Sequence, residues 1–187
     1  MAIYLVRHGQ AKEYKKDQVK YPGPGLTKNG IEQAKAVAKE IKNIKFNKVY
    51  CSDMTRAIQT AEYINKFLKK KISYHRDIAE FNMIVFSKNP KDENKYKTNL
   101  RRAKRTRSFF KKIKKEKGNI LIVGHGNAIS SMISEHLGIP VTKMKMFYIE
   151  NCSVVVIDNK VSIYNNTFEH RFYKYHMKRM NVEKKKV

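Results

Sequence analysis

Twice in this chain an apolar run ends in a histidine with glycine beside it: Arg7-His8-Gly9-Gln10 follows residues 3–6, and Gly124-His125-Gly126 follows residues 119–123. A histidine offers a ring nitrogen that serves as nucleophile, acid or base near neutral pH. Arg7 adds a planar fork that matches the oxygens of a phosphate or carboxylate. Gly9, Gly124 and Gly126 leave room for backbone to approach a bound anion. Alone, each triplet is a weak sign, because short triplets arise by chance and a lone histidine is commonly structural. Their weight depends on the elements that carry them.

Those elements alternate. Residues 3–6 read as a first strand, and "PGPGLTKNG" at 22–30 is a turn-rich approach to a helix that Thr27 is placed to cap. Ile31, Ala34, Ala38 and Ile41 follow helical spacing. A second strand is expected at 47–51 and a second helix at 54–68, then a short strand near 72–75. The stretch 80–97 reads as an irregular loop over the site, and a long basic helix is expected at 98–117. The all-apolar "NILIV" at 119–123 has the character of a strand buried on both faces, followed by a helix to about residue 137. Residues 153–158 and 161–165 form a closing hairpin around Asn159-Lys160. Strands separated by helices predict an α/β fold: a three-layer sandwich whose mainly parallel central sheet is flanked by helices. In such sheets ligands bind beyond the carboxyl ends of the strands, where His8 and His125 both fall.

The 187 residues suit a single domain, with 41% apolar residues, 11 Tyr and 9 Phe to fill a core, and a basic C-terminal tail at about 171–187. No apolar run has membrane-spanning length, and the N-terminus lacks the basic head and long apolar middle of a signal peptide. Cys51 and Cys152 are isolated and lack metal-ligand spacing, so buried reduced thiols are expected. A cytoplasmic protein without a membrane partner fits these features. The net charge of +25 has two readings: attraction to polyanions, or lysine spread over every solvated surface, as at Lys35, Lys39 and Lys42.

The two histidine motifs keep specific company. In order the chain carries "RHGQ" at 7–10, "GLTKNGIEQA" at 25–34, "CSDMTRAIQTAE" at 51–62, an acidic residue within "DIAEFNM" at 77–83, and "VGHGNAI" at 123–129. From residue 3 to about residue 157 this pattern resembles the histidine phosphatase superfamily, in its phosphoglycerate-mutase-like branch. The resemblance implies a metal-independent phosphatase without a cofactor, hydrolysing phosphate monoesters through a phosphohistidine. His8 is the implied nucleophile, with one ring nitrogen free and the other held by a hydrogen bond. Arg7 and Arg56 form the implied phosphate clamp, and their charge disfavours the protonated imidazole. His125 is the implied further phosphate donor, aided by Gly126 at a helix start. Glu80, after the third strand where the family places its acid, is the implied proton donor, although "AEFNM" lacks the family's usual glycines; Asp77 is the alternative. Gln10 belongs to the phosphate site or orients its loop, and Ser52 hydrogen-bonds the site or starts a turn. His75, His136, His170 and His176 have no motif support.

The family spans mutases, sugar-phosphate phosphatases, phosphohistidine phosphatases and protein Ser/Thr phosphatases. A short segment over the site favours hydrolysis over mutase chemistry. Residues 46–64 are also similar to the matching stretch of the mitochondrial phosphoglycerate-mutase-like Ser/Thr protein phosphatase, which admits a phosphoprotein substrate beside a small phosphorylated metabolite. A mutase-type phosphotransferase and a basic polyanion-binding module on a phosphatase scaffold are the alternatives. Residues 101–118 hold ten basic residues and one acid, with Leu100, Ala103, Phe110 and Ile113 along one helical stripe. That stripe reads as a core-facing helix with a solvated basic back, or as a patch for phosphorylated or polyanionic ligands. The aromatic and basic tail suits single-stranded nucleic acid, packing on the domain or self-association, and no RNA- or DNA-binding motif accompanies the charge. The pattern does not determine an oligomeric state.

Overall fold

The computed structural model describes residues 1–13, 21–82 and 90–164, with side chains omitted at 90–92. Ten elements follow one another: β1 (Ile3–Arg7), α1 (Lys28–Ile41), β2 (Lys48–Ser52), α2 (Thr55–Leu68), β3 (Ile72–His75), α3 (Pro90–Ile113), β4 (Ile120–Gly124), α4 (Gly126–His136), β5 (Val154–Ile157) and β6 (Val161–Tyr164). One six-stranded sheet runs in the order β3-β2-β4-β1-β5-β6. The first four strands in that order are parallel; β5 pairs antiparallel with both β1 and β6. The expected three-layer α/β architecture is the one observed.

Alternation along the strands sorts the core into two layers. Ile120 and Ile122 of β4, with Ile3 and Leu5 of β1, face Phe109, Phe110 and Ile113 of α3 and Ile129, Met132 and Ile133 of α4. Leu121 and Val123, with Val6, face Ala34, Val37, Ala38 and Ile41 of α1 and Ala57, Ala61 and Ile64 of α2. Burying both faces explains why β4 has no polar alternation. Small residues on α1 and α2 allow those helices to lie close to the sheet and to each other.

Thr27 caps α1 as expected, its hydroxyl accepting the Gly30 N–H at 2.9 Å. The long basic helix departs from expectation at both ends: α3 starts at Pro90 instead of 98 and stops at Ile113 instead of 117. A proline at the first helical position has a suitable fixed φ and forfeits only an N–H that has no partner there. The Glu93–Lys97 ion pair at 2.8 Å, four residues apart, supports a turn whose polarity reads as loop in the sequence. At the other end, Lys114 to Lys117 form turns that lead to Gly118, whose φ of +80° suits glycine. Residues 83–89 of the expected loop, and the tail with His170 and His176, lie outside the described residues. Among the described residues, no helix is long and apolar enough to cross a membrane.

Candidate active site

Each of the four parallel strands brings a predicted site residue to the same carboxyl edge. β1 ends at Arg7 and leads directly to His8; β2 ends at Ser52, just ahead of Arg56 in the first turn of α2. β3 runs through a short 3-10 turn at Arg76–Ile78 to Glu80, and β4 leads to His125 and Gly126. The β1–β4 register sets Arg7 opposite Gly124, and the His8 N–H continues the ladder to the Gly124 carbonyl at 3.0 Å. The two imidazoles thereby leave neighbouring strands side by side, with ring centroids 5.0 Å apart.

His8 is buried and its protonation is defined by its partners. Nδ1 lies 2.7 Å from the Gly9 carbonyl, which only accepts, so Nδ1 carries the proton. Nε2 then holds a lone pair, which accepts the Arg56 Nε–H at 3.0 Å. Burial, with Arg56 next in effect, pushes the His8 pKa down to about 3, so the ring is neutral at physiological pH. A neutral imidazole with its lone pair turned toward a guanidinium can attack an electrophile brought there by the same cation.

His125 is fully buried, with Nε2 2.8 Å from Ser52 Oγ and, among the described residues, no hydrogen-bond partner at Nδ1. Burial, followed by His8 and the two arginines, holds its pKa well below the usual imidazole range. Ser52 therefore touches His125, and it also accepts the Met54 N–H at 3.3 Å. Arg7 donates from Nη1 to the Ile149 carbonyl at 2.5 Å, while Nε has no hydrogen-bond partner among the described residues. An added Cβ at Gly126 would lie 3.7 Å from that Nε. Glu80 is half-buried; burial raises its carboxyl pKa against the opposing pull of the Phe81 N–H, Arg56 and Arg7. The arrangement thus offers a nucleophilic nitrogen, two guanidinium groups, a second imidazole and a carboxyl of raised pKa at one sheet edge. Among the described residues no cluster of three or more His, Cys, Asp or Glu is placed to hold a metal ion.

Three further residues named from the sequence make contacts of their own. The Gln10 carboxamide accepts from Thr27 Oγ1 at 2.9 Å and Asn29 Nδ2 at 3.1 Å, which fastens its loop to the start of α1. Asp77, the alternative acid, is paired with Arg105 at 3.2 Å. Gly9 owes its small size to a backbone crossing, since an added Cβ would meet the Gly30 carbonyl at 2.4 Å. Cys51 and Cys152 are both buried and neither forms a disulfide, with burial pushing the Cys152 pKa up to about 12.

Four supporting residues escaped the sequence reading. Thr60 accepts the Gly9 N–H at 3.1 Å and donates to the Arg56 carbonyl at 2.7 Å, bridging the loop after His8 to α2. Its signal was present, because it lies one turn after Arg56 on the same helix. Asn127, directly after the second glycine motif, donates to the Phe81 carbonyl at 2.7 Å and steadies the segment after Glu80. Asn151 donates to the His8 carbonyl at 2.8 Å from far along the chain, without any local signal. Met54 is the fourth, through contacts described below.

Comparison with known proteins agrees with this geometry. The chain is 24% identical over 188 residues to the protein named "Probable phosphoglycerate mutase GpmB" of Shigella boydii, covering 88% of this chain and 87% of that one. Among solved structures it resembles phosphoserine phosphatase of Entamoeba histolytica in complex with 3-phosphoglyceric acid: TM-score 0.67, 22% identity, 89% of this chain and 97% of that one. It also resembles alpha-ribazole phosphatase of Shigella flexneri: TM-score 0.69, 22% identity, 89% and 96% covered. At these identities the structural likeness is one of fold. Residues 3–103 and 98–166 match the family profile itself, spanning every strand end that carries a site residue, and by that match the chain belongs to the histidine phosphatase superfamily, branch 1.

Proposed function

We propose that this protein is a metal-independent phosphatase that hydrolyses phosphate monoesters through a phosphohistidine on His8. The observation that carries the reading is the His8 tautomer: Nδ1–H is committed to the Gly9 carbonyl, and the Nε2 lone pair meets Arg56. A bound phosphate takes over Arg56 as its partner, with Arg7 and His125 as further donors, and lies in front of Nε2. The new P–N bond forms as the bond from phosphorus to the ester oxygen breaks, and Glu80 passes its proton to that oxygen. Water then attacks phosphorus, the P–N bond breaks, and the water proton returns to Glu80 as inorganic phosphate leaves. The raised Glu80 pKa suits a group that must give and retake a proton near neutral pH. Gly126 at the start of α4 lies against the Arg7 guanidinium, and Ser52 holds His125.

The substrate class is a phosphorylated metabolite or a phosphoprotein. The phosphorylated small acid named with the Entamoeba phosphatase supports the former. The test is hydrolysis of an aryl phosphate in excess chelator by the native chain and by His8→Ala. Release that persists with chelator and vanishes in the variant supports the reading. Equal release from both proteins overturns it. Acid-labile phosphate trapped on the native chain without release of inorganic phosphate would support the mutase alternative.

A further inference from the structure

We propose that Met54 is a positioning residue whose thioether keeps Glu80 and Arg56 in register; this rests on Glu80 being the proton donor. Met54 occupies the N-cap of α2 with extended backbone, and its carbonyl accepts the Ala57 and Ile58 N–H groups at 2.9 and 3.0 Å. Its side chain offers no oxygen for capping. It turns instead to the site, where Sδ accepts the Glu80 N–H at 3.4 Å and Arg56 Nη2 at 3.7 Å. Its own N–H meets Ser52 Oγ, which holds His125. One half-buried residue therefore touches the supports of three site side chains.

The choice of side chain follows from competing needs. The Glu80 N–H and one arm of the Arg56 guanidinium converge on the same sulfur, and the Glu80 N–H needs an acceptor there. A carboxylate there would form a strong ion pair with Arg56 and compete with the substrate. Leucine would leave both donors facing carbon. A thioether is a weak, polarizable acceptor on an unbranched stem, able to hold Arg56 lightly and release it to phosphate while still holding the Glu80 backbone.

The test compares Met54→Leu, which keeps apolar bulk without an acceptor, with Met54→Gln, which restores a neutral acceptor. The charged groups facing the Glu80 carboxyl are Arg7 from β1 and Arg56 from α2, both lowering its pKa, with the Asn127 N–H from α4 acting in the same direction. Once its backbone anchor is lost, the carboxyl hydrates and its pKa falls. With an alkyl phosphate, Met54→Leu is therefore expected to lower kcat about threefold to tenfold with little change in KM. The alkaline limb that Glu80→Gln abolishes should move to lower pH. Met54→Gln should restore that limb while raising KM through its firmer hold on Arg56. A Met54→Leu protein with native kcat and pH profile overturns the proposal, as does a kcat loss matched by a lower melting temperature and an unmoved limb. If Glu80→Gln leaves the native profile unchanged, the acid assignment itself fails.

Discussion

Replacing His8 with alanine should make the protein less sensitive to acid as well as inactive. Above the unfolded imidazole pKa of 6.5 the ring is neutral in both states and stability does not depend on its proton. Below it, the unfolded chain takes up a proton that the folded chain refuses until the pH nears 3, so the native state loses stability as pH falls through this window. From about pH 7.5 to about pH 4.5, two units of this window are crossed at ~1.4 kcal/mol each, and His8 alone costs about 3 kcal/mol. The assay is urea unfolding followed by tyrosine fluorescence and circular dichroism at both pH values, for the native chain and His8→Ala. The cavity left by the substitution acts at both pH values and cancels in the comparison. Loss of His8 also removes one of the groups holding His125 neutral, which shifts the result in the same direction. The variant should lose about 3 kcal/mol less than the native chain on acidification, or still less. Equal losses would show that His8 titrates normally in the fold, and the buried, neutral nucleophile would have to be abandoned.

Arg56→Lys removes the Nε donor to His8 and the planar fork; kcat/KM for an aryl phosphate should fall about a hundredfold, read by steady-state kinetics. Glu80→Gln should slow phosphoryl transfer from an alkyl phosphate by about 10²–10⁴. It should spare the burst of phenol release from a nitrophenyl phosphate, whose leaving oxygen departs without a proton, while hydrolysis of the phosphohistidine loses its base with either ester. Comparable losses of phosphoryl transfer from the two esters would argue against a proton donor at that residue. Gly30→Ala would place a Cβ 2.0 Å from the Gln10 carbonyl, and urea unfolding should show a loss of about 1–3 kcal/mol because only backbone movement can relieve the clash. Thr27→Ala should lower stability by about 1 kcal/mol in the same measurement, through loss of the cap on α1.

Much of this layout was legible because short-range patterns carry it. Apolar runs at β1 and β4 announce strands buried on both faces, and the motif order announces which strand end carries which side chain. The start of α3 was not legible, since residues 90–97 are polar all round and only a proline and one ion pair mark them as helical. Asp77 and Glu80 could not be separated by type. Arg105, twenty-eight residues later, captures Asp77, whereas Glu80 is left beside Arg56 and Arg7. Likewise Gln10 and Gly9 have the right types for an anion site, but contacts to Thr27, Asn29 and Gly30 across the chain assign them to holding a loop. Support from Asn151 depends on tertiary proximity, which no local period encodes, whereas Thr60 sits one helical turn after Arg56.

The placement of β1 has a consequence for the order of events during synthesis. It lies between β4 and β5, so its hydrogen-bonding partners on both sides are made more than a hundred residues after it. Pairing at such separation makes folding slow relative to chains rich in local contacts. Emerging from the ribosome, Arg7 and His8 have no neighbouring strand until residues 120–124 appear, and the His8 carbonyl has no partner at Asn151 until later still. The α1-β2-α2 segment can assemble early, but His8 reaches its place beside Arg56 only when the later sheet contacts close. Assembly of the candidate site is thus a late event, and a nascent chain that stalls before residue 125 carries His8 without the strands that surround it.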